Sequence, residues 1–377
     1  MHPRLRFDIS WRRLLWAAFG PKADEIDIDI PEARVVGLSV RTLFDAILSE
    51  SGLDAGAPVI VSGVNIDNMN DIVGLHGLQP HPIDIATDTL LPTGERLLDA
   101  QTRTGARLCL VAHLFGTRSK VAGIAELRRR GVLVIEDMAQ GFSRDLFERP
   151  PEADVTLLSF GPIKRRTALG GGAALFRDPD LADRVRRRIA GYRSLGDTWF
   201  RARVRKYLLL KAISHPALYG LVFALAGRDP DARIAKLARG FADGDLLSHI
   251  RRRPPPRLLH LLAKQIADDE GLAARRRVCE DFLASLPPGF RLGDRAASHV
   301  HWLVPVDVPE PEAFIRILRR CGFDATRGAT SLRALTGPNA VASALMAHIV
   351  YLPHPADMDT RARTRLSAAV VKALAGQ

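Results

Sequence analysis

Cysteine is scarce: three in 377 residues, at positions 109, 279 and 321. Odd in number and far apart, they form neither a disulfide framework nor a zinc-ligand pattern. Aromatic residues make up only 6% of the chain. The basic run RRRPPPR at 251–257 has none interleaved, unlike the stacking platforms that hold single-stranded nucleic acid. No uncharged apolar run reaches membrane-spanning length. The opening MHPRLRFDISWRRLLWAAFG starts basic and turns apolar, but Arg12 and Arg13 interrupt it. No A-x-A-like site follows, so it makes a poor signal peptide, and the cytoplasm is the expected compartment. Internal repeats and low-complexity tracts are also missing.

What is present is a 47% hydrophobic chain of near-zero mean hydropathy, the profile of a soluble globular protein with a sizeable core. Its length predicts one large domain plus a smaller one. The net charge of +12 comes mostly from arginine. Such an excess raises affinity for phosphates, nucleic acid or anionic membranes, although charge totals speak to association and not to fold.

Short apolar strands alternate with amphipathic helices from residue 34 onward. RVVG opens a helix closing at Gly52, and APVIVSG, ARLCLVAHLFGT, VLVIEDMAQ, ADVTLLSF and GGAALF read as buried strands. Strands apolar throughout and separated by helices predict a mainly parallel sheet with helices on both faces. In such sheets ligands bind beyond the carboxyl ends of the strands, where His113, Asp137, Gln140 and Ser159 fall. The expected organisation is a large α/β domain over 1–190, an atypical helical insertion over 191–256, and 257–377 as a long helix, roughly 257–286, with a small C-terminal α+β domain. HVHWLVPVDV reads there as one strand. No nucleic-acid partner is expected.

The polar residues at the strand ends match the needs of a covalently held aromatic aldehyde cofactor. It requires a lysine of lowered pKa for a Schiff base. A carboxylate must face a ring nitrogen, and the phosphate needs backbone N–H groups at a helix N-terminus. Lys164 lies in SFGPIKRRTALGGG (159–172), Asp137 ends a strand, and Ser39 in GLSV opens a helix. The glycines at 170–172 are expected to make room for the cofactor. Taken singly, Ser39 also reads as an ordinary N-cap, Asp137 as a partner for one of many arginines, and Lys164 as a solvated loop residue.

IEDMAQGF followed by SFGPIKRRTALGGGAALF resembles the pyridoxal-phosphate (PLP) sugar aminotransferases of the DegT/StrS type. The likeness continues through VIVSGVNIDNMNDIVGLHGLQPHPIDI, VAHLFGT, WLVPVDV and LPHPADMD, sparing only about 190–255. It implies the aspartate-aminotransferase-like PLP-dependent transferase fold, type I, with a homodimer whose sites lie at the interface. By resemblance Lys164 forms the Schiff base and shuttles the proton, Asp137 keeps the pyridine nitrogen protonated, and Gln140 meets the ring hydroxyl side. Ser159, Ser39 and Val40 contact the phosphate, and His113 lies near the cofactor. Two positions depart from the family's pattern. Ile66 stands where an aromatic usually stacks on the ring, and RRRPPPRLL replaces a G-x-N-x-R-M-S segment, with Arg253 as the equivalent of its arginine. The implied activity is transfer of an amino group from an amino acid such as glutamate to a nucleotide- or lipid-linked keto sugar. A PLP-dependent dehydratase or lyase on the same scaffold, or a binding protein without turnover, are the alternatives. A lysine at 164 opposes the dehydratase variant, in which the resemblance implies histidine. Finally, basic residues mixed with bulky apolar ones around YLLL and ALYGLVFALAG predict either dimer or core packing, or a peripheral membrane contact through 196–245.

Overall fold

The computed structural model describes residues 1–20, 34–148, 151–225, 227, 231, 245–268, 271–287 and 289–375. The apolar runs pair into a seven-stranded sheet of β1 (Arg34–Gly37), β2 (Pro58–Ser62), β3 (Gln79–Ile83), β4 (Leu108–Ala112), β5 (Leu133–Asp137), β6 (Val155–Ser159) and β7 (Gly172–Phe176). Their order is β1-β7-β6-β5-β4-β2-β3. Strands β2 to β6 are mutually parallel, and β7 runs antiparallel to both β6 and β1.

Alternation along each strand divides its side chains between two layers. Val59, Val61, Leu108, Leu110 and Ile135 pack against the helices Val40–Glu50, Asp67–Leu75 and Pro179–Ala190. Ile60, Cys109, Val111 and Val134 pack against Gly94–Thr104 and Ile124–Arg129 on the other face. Both faces are covered, which is why the strands read as unbroken apolar runs.

The C-terminal part builds its own core. Antiparallel strands Val304–Asp307 and Ile349–Leu352 pack with helices Pro311–Arg320 and Thr360–Ala375 around Phe314, Leu318, Phe323 and Leu366. Residues 1–9 tie the N-terminus to this part: Arg4 Nε donates to Asp324 Oδ2 at 2.7 Å and its Nη2 to Oδ1 at 3.0 Å, with both side chains buried.

Two elements differ from expectation. The helix read as roughly 257–286 is two helices, Pro256–Ala267 and Leu272–Ala284. Asp268 turns extended and Gly271 takes a left-handed φ of 77°, which ends the first helix and starts the second in a new direction. The strand read through HVHWLVPVDV is interrupted as well. Only Ser298–His299 and Val304–Asp307 are extended pairs, because His301 adopts a positive φ of 46°. The helical stretch near 190–255 holds Asp197–Ile213, Pro216–Leu225 and Leu246–Ile250, while 226, 228–230 and 232–244 lie outside the described residues.

Candidate active site

Sheet register brings the predicted residues to one edge. Asp137 pairs with Ala112 across β4 and β5, and His113 N donates to Asp137 O at 3.0 Å. Ser159 pairs with Gly172, which in turn pairs with Gly37 at the start of the GLSV turn. Asp137, His113, Ser159 and Ser39 therefore gather at the carboxyl ends of the parallel strands.

Asp137 is buried, and one of its oxygens is spoken for: Ala139 N donates to Oδ1 at 2.9 Å. No described residue donates to Oδ2. Burial drives this carboxyl's pKa up, opposed by the Ala139 hydrogen bond and by the charges of Lys164 and His113. A buried carboxylate with one open oxygen fits a protonated ring nitrogen, which would satisfy it and restore its charge.

Lys164 lies in a turn closed by its own N–H donating to Gly161 O at 3.0 Å. Burial pushes its ammonium down to about 8, against the pull of Asp137 and with the help of Arg41. Nζ stands 3.9 Å from the centroid of the Trp302 ring. Trp302 is itself buried, and its Nε1 donates to Ile163 O at 2.6 Å. The kink at His301 that interrupts the expected strand is what sets the indole beneath the lysine. Sequence reasoning missed Trp302, since WLVP read as strand interior.

Ser39 caps the helix Val40–Glu50, its Oγ accepting from Thr42 N at 3.2 Å. The N-cap reading of Ser39 is therefore what the geometry contains, with the helix N-terminus around Val40 facing the strand ends. Arg41 follows in the first turn, where a cation meets the wrong end of the helix dipole. That unfavourable placement is the signal that identifies it. Its Nη1 donates to Asn68 Oδ1 at 2.7 Å, and burial, reinforced by Arg203, lowers its pKa to about 10. A half-buried concentration of Lys164, Arg41 and Arg203 beside a helix N-terminus fits a phosphate.

The other predicted residues serve differently. His113 is fully buried, with Nε2 3.0 Å from Glu136 Oε1 and Nδ1 without a partner. Gln140 Oε1 accepts from Phe115 N at 2.6 Å, so this side chain braces the loop after β4. Ser159 is half-buried and its Oγ accepts weakly from Gly161 N at 3.4 Å. Ile66 precedes the helix Asp67–Leu75, half-buried and paired with Leu332. Arg253 stands exposed on a two-residue ladder beside Ser194, and it is not brought to Lys164 or Asp137.

The three glycines pack against the chain's own atoms. A Cβ at Gly172 would lie 2.7 Å from Val40 N and 2.8 Å from Ser39 C, and one at Gly170 or Gly171 would strike Leu258 or Leu262. Their absent side chains let β7 touch the GLSV turn and let the loop accept the helix Pro256–Ala267. The glycines build the site by holding its walls together.

The chain matches the DegT/DnrJ/EryC1/StrS aminotransferase family model over residues 42–203, a span containing Asp137, Lys164, His113, Gln140, Ser159, Ile66 and Arg203 but not Ser39, Val40, Arg41, Arg253 or Trp302. Among solved structures, it is similar to the sugar aminotransferase CalS13 from Micromonospora echinospora at 18% identity and TM-score 0.66, covering 99% of this chain and 100% of that one. The aminotransferase TlmJ from Streptoalloteichus hindustanus is similar at 16% identity and TM-score 0.67, covering 98% and 93%. NtdA from Bacillus subtilis, solved with bound cofactor PMP, aligns at 15% identity and TM-score 0.63, covering 91% and 73%. The chain thus has the fold-type-I architecture of these aminotransferases, and residues 42–203 match the model of the DegT/DnrJ/EryC1/StrS aminotransferase family.

Proposed function

We propose that this aminotransferase moves an amino group from an amino acid, glutamate, to a keto sugar carried on a nucleotide or a lipid, using Lys164 as its covalent and proton-carrying residue. The observation that carries this reading is the buried couple of Asp137, open at Oδ2, and Lys164, lowered to about 8. Asp137 would face the ring nitrogen of pyridoxal phosphate. The helix N-terminus at Val40, with Ser39, Ser159 and Arg41, would hold its phosphate. When bound, the cofactor supplies an aldehyde carbon for amine exchange and a ring that withdraws electrons from the bond being broken.

The chain's own residues account for the rest. A pKa near 8 leaves a useful fraction of Lys164 as free amine at neutral pH, able both to attack and to take a proton. Between these tasks its ammonium form rests over the Trp302 face. Buried Asp137 keeps water from competing at the ring nitrogen. The same reading includes a homodimer and a peripheral membrane contact within 196–245.

Its test is an amino-transfer assay with glutamate and a panel of nucleotide-linked keto sugars. Product formation that disappears in Lys164→Ala supports the reading. Turnover that survives this substitution sinks it, and cofactor binding with no transfer to any sugar ketone favours the non-catalytic alternative.

A further inference from the structure

The helix Pro216–Leu225, sequence PALYGLVFAL, carries no charge, yet Tyr219 is its only buried residue. Tyr219 OH donates to Asp324 Oδ2 at 2.5 Å and so pins the helix to the body of the protein. Leu218, Leu221 and Leu225 are 49%, 60% and 73% exposed, at a spacing that puts them on one side. An apolar helix of a water-facing surface should show the opposite pattern.

Its neighbours repeat the anomaly. The helix Trp11–Phe19 lies antiparallel along Asp197–Ile213: Lys211 Nζ is 5.6 Å from the Trp11 ring centroid, and Arg201 Nη2 donates to Gly20 O at 3.3 Å. The N-terminal amine donates to Pro216 O at 3.1 Å, so the segment that leads into Trp11–Phe19 also touches the third helix. Trp11, Leu15 and Phe19, four residues apart, are 47%, 48% and 71% exposed. Cations stand among them, with Arg12, Arg205 and Lys206 exposed, while Asp197 is the only acid in the three helices.

We propose that this layer is the face by which the protein lies on a bilayer bearing anionic headgroups, with the Leu and aromatic side chains at the acyl boundary and the arginines and lysines on phosphate. Charge decides against a second copy of the chain as occupant. A two-fold interface sets a patch against itself, and here that would oppose cation to cation with almost no acid to compensate. The bend between the two later helices, which together have the length and composition of a span, suits a surface contact better than a straight crossing. The helices Asp197–Ile213 and Pro216–Leu225 meet at a 96° bend, and no single helix among the described residues is long and apolar enough to cross a membrane. The inference narrows the membrane contact of the proposed function to named side chains, and it fits a lipid-linked acceptor, but the face stands without any turnover.

The experiment is sedimentation of the full chain with vesicles of equal parts phosphatidylglycerol and phosphatidylcholine, and with phosphatidylcholine alone, at low and high salt. The expected result is binding to the anionic vesicles at low salt that weakens with salt. It should fall roughly tenfold in Arg205→Glu/Lys206→Glu, and similarly in Leu218→Gln/Leu221→Gln/Leu225→Gln, whose positions are exposed enough to leave folding intact by circular dichroism. Lys164→Ala should bind like the parent protein, which keeps this result separate from the fate of the aminotransferase reading. No binding to anionic vesicles at low salt overturns the proposal. So does unchanged binding in both variants, or a leucine variant that keeps its vesicle binding but loses a dimer.

Discussion

At the scale of single residues, the account rests on what burial does to opposite charges that share a site. Asp137→Asn keeps the shape and removes the charge that a ring nitrogen needs. It should lower turnover on the order of 10²- to 10³-fold while leaving the fold intact, read as kcat with melting temperature measured alongside. Lys164 makes a pH prediction in the cofactor-free protein. Its amine should become reactive toward a small acylating reagent as pH rises through about 8, because burial disfavours the ammonium and deprotonation frees the nucleophile. The Trp302 face attracts only the charged form, so Trp302→Leu should move that midpoint down, by about 0.5 to 1 pH unit. A midpoint that rises in Trp302→Leu contradicts the role given to the indole.

At the scale of elements, much was legible because each strand announces itself by an apolar run and each turn by its punctuation. The order IEDMAQ, SFGPIK and GGG puts Asp137 and Ser159 at adjacent strand ends and Lys164 in the turn that follows, and the sheet register and that turn bring the three together. What could not be read was direction. A single positive φ at His301 turns a predicted strand into the kink that aims Trp302 at Lys164, and histidine, although enriched among non-glycine residues in that conformation, adopts it too rarely to be marked from sequence. The helix predicted as roughly 257–286 fails for a related reason, since its apolar pattern continues across a turn that only Gly271 betrays. The glycines at 170–172 are legible as close approach but not as to what: the partners are the backbone of Ser39 and Val40 at Gly172 and the side chains of Leu258 and Leu262 at Gly170 and Gly171. Gly172→Ala tests that. Its Cβ would meet the immovable backbone of Ser39 and Val40, so the substitution should cost about 1–3 kcal/mol of unfolding free energy in urea titration, with cofactor affinity falling as the turn is displaced.

At the scale of the whole molecule, the N-terminal arm joins parts distant in sequence. Arg4 sits between Asp324 and the remainder of the C-terminal core, with both side chains buried. Arg4→Ala leaves Asp324 with Arg319, 3.3 Å away, as its remaining cation and the Tyr219 hydroxyl as a neutral donor. The expected loss is about 3 kcal/mol, the low end for breaking a buried pair, read from the urea midpoint. The same arm carries the helix Trp11–Phe19 to the layer beside Asp197–Ile213, so a chain that loses the arm should lose stability and vesicle binding together. The claim on which all of this depends is that Lys164 is the residue that bonds the cofactor. The direct measurement is to add pyridoxal phosphate to the purified protein, reduce with borohydride and map the modified peptide by mass spectrometry. A visible absorption band before reduction and a single phosphopyridoxyl group on Lys164 are expected. An adduct on another lysine, or none at all, would contradict the claim.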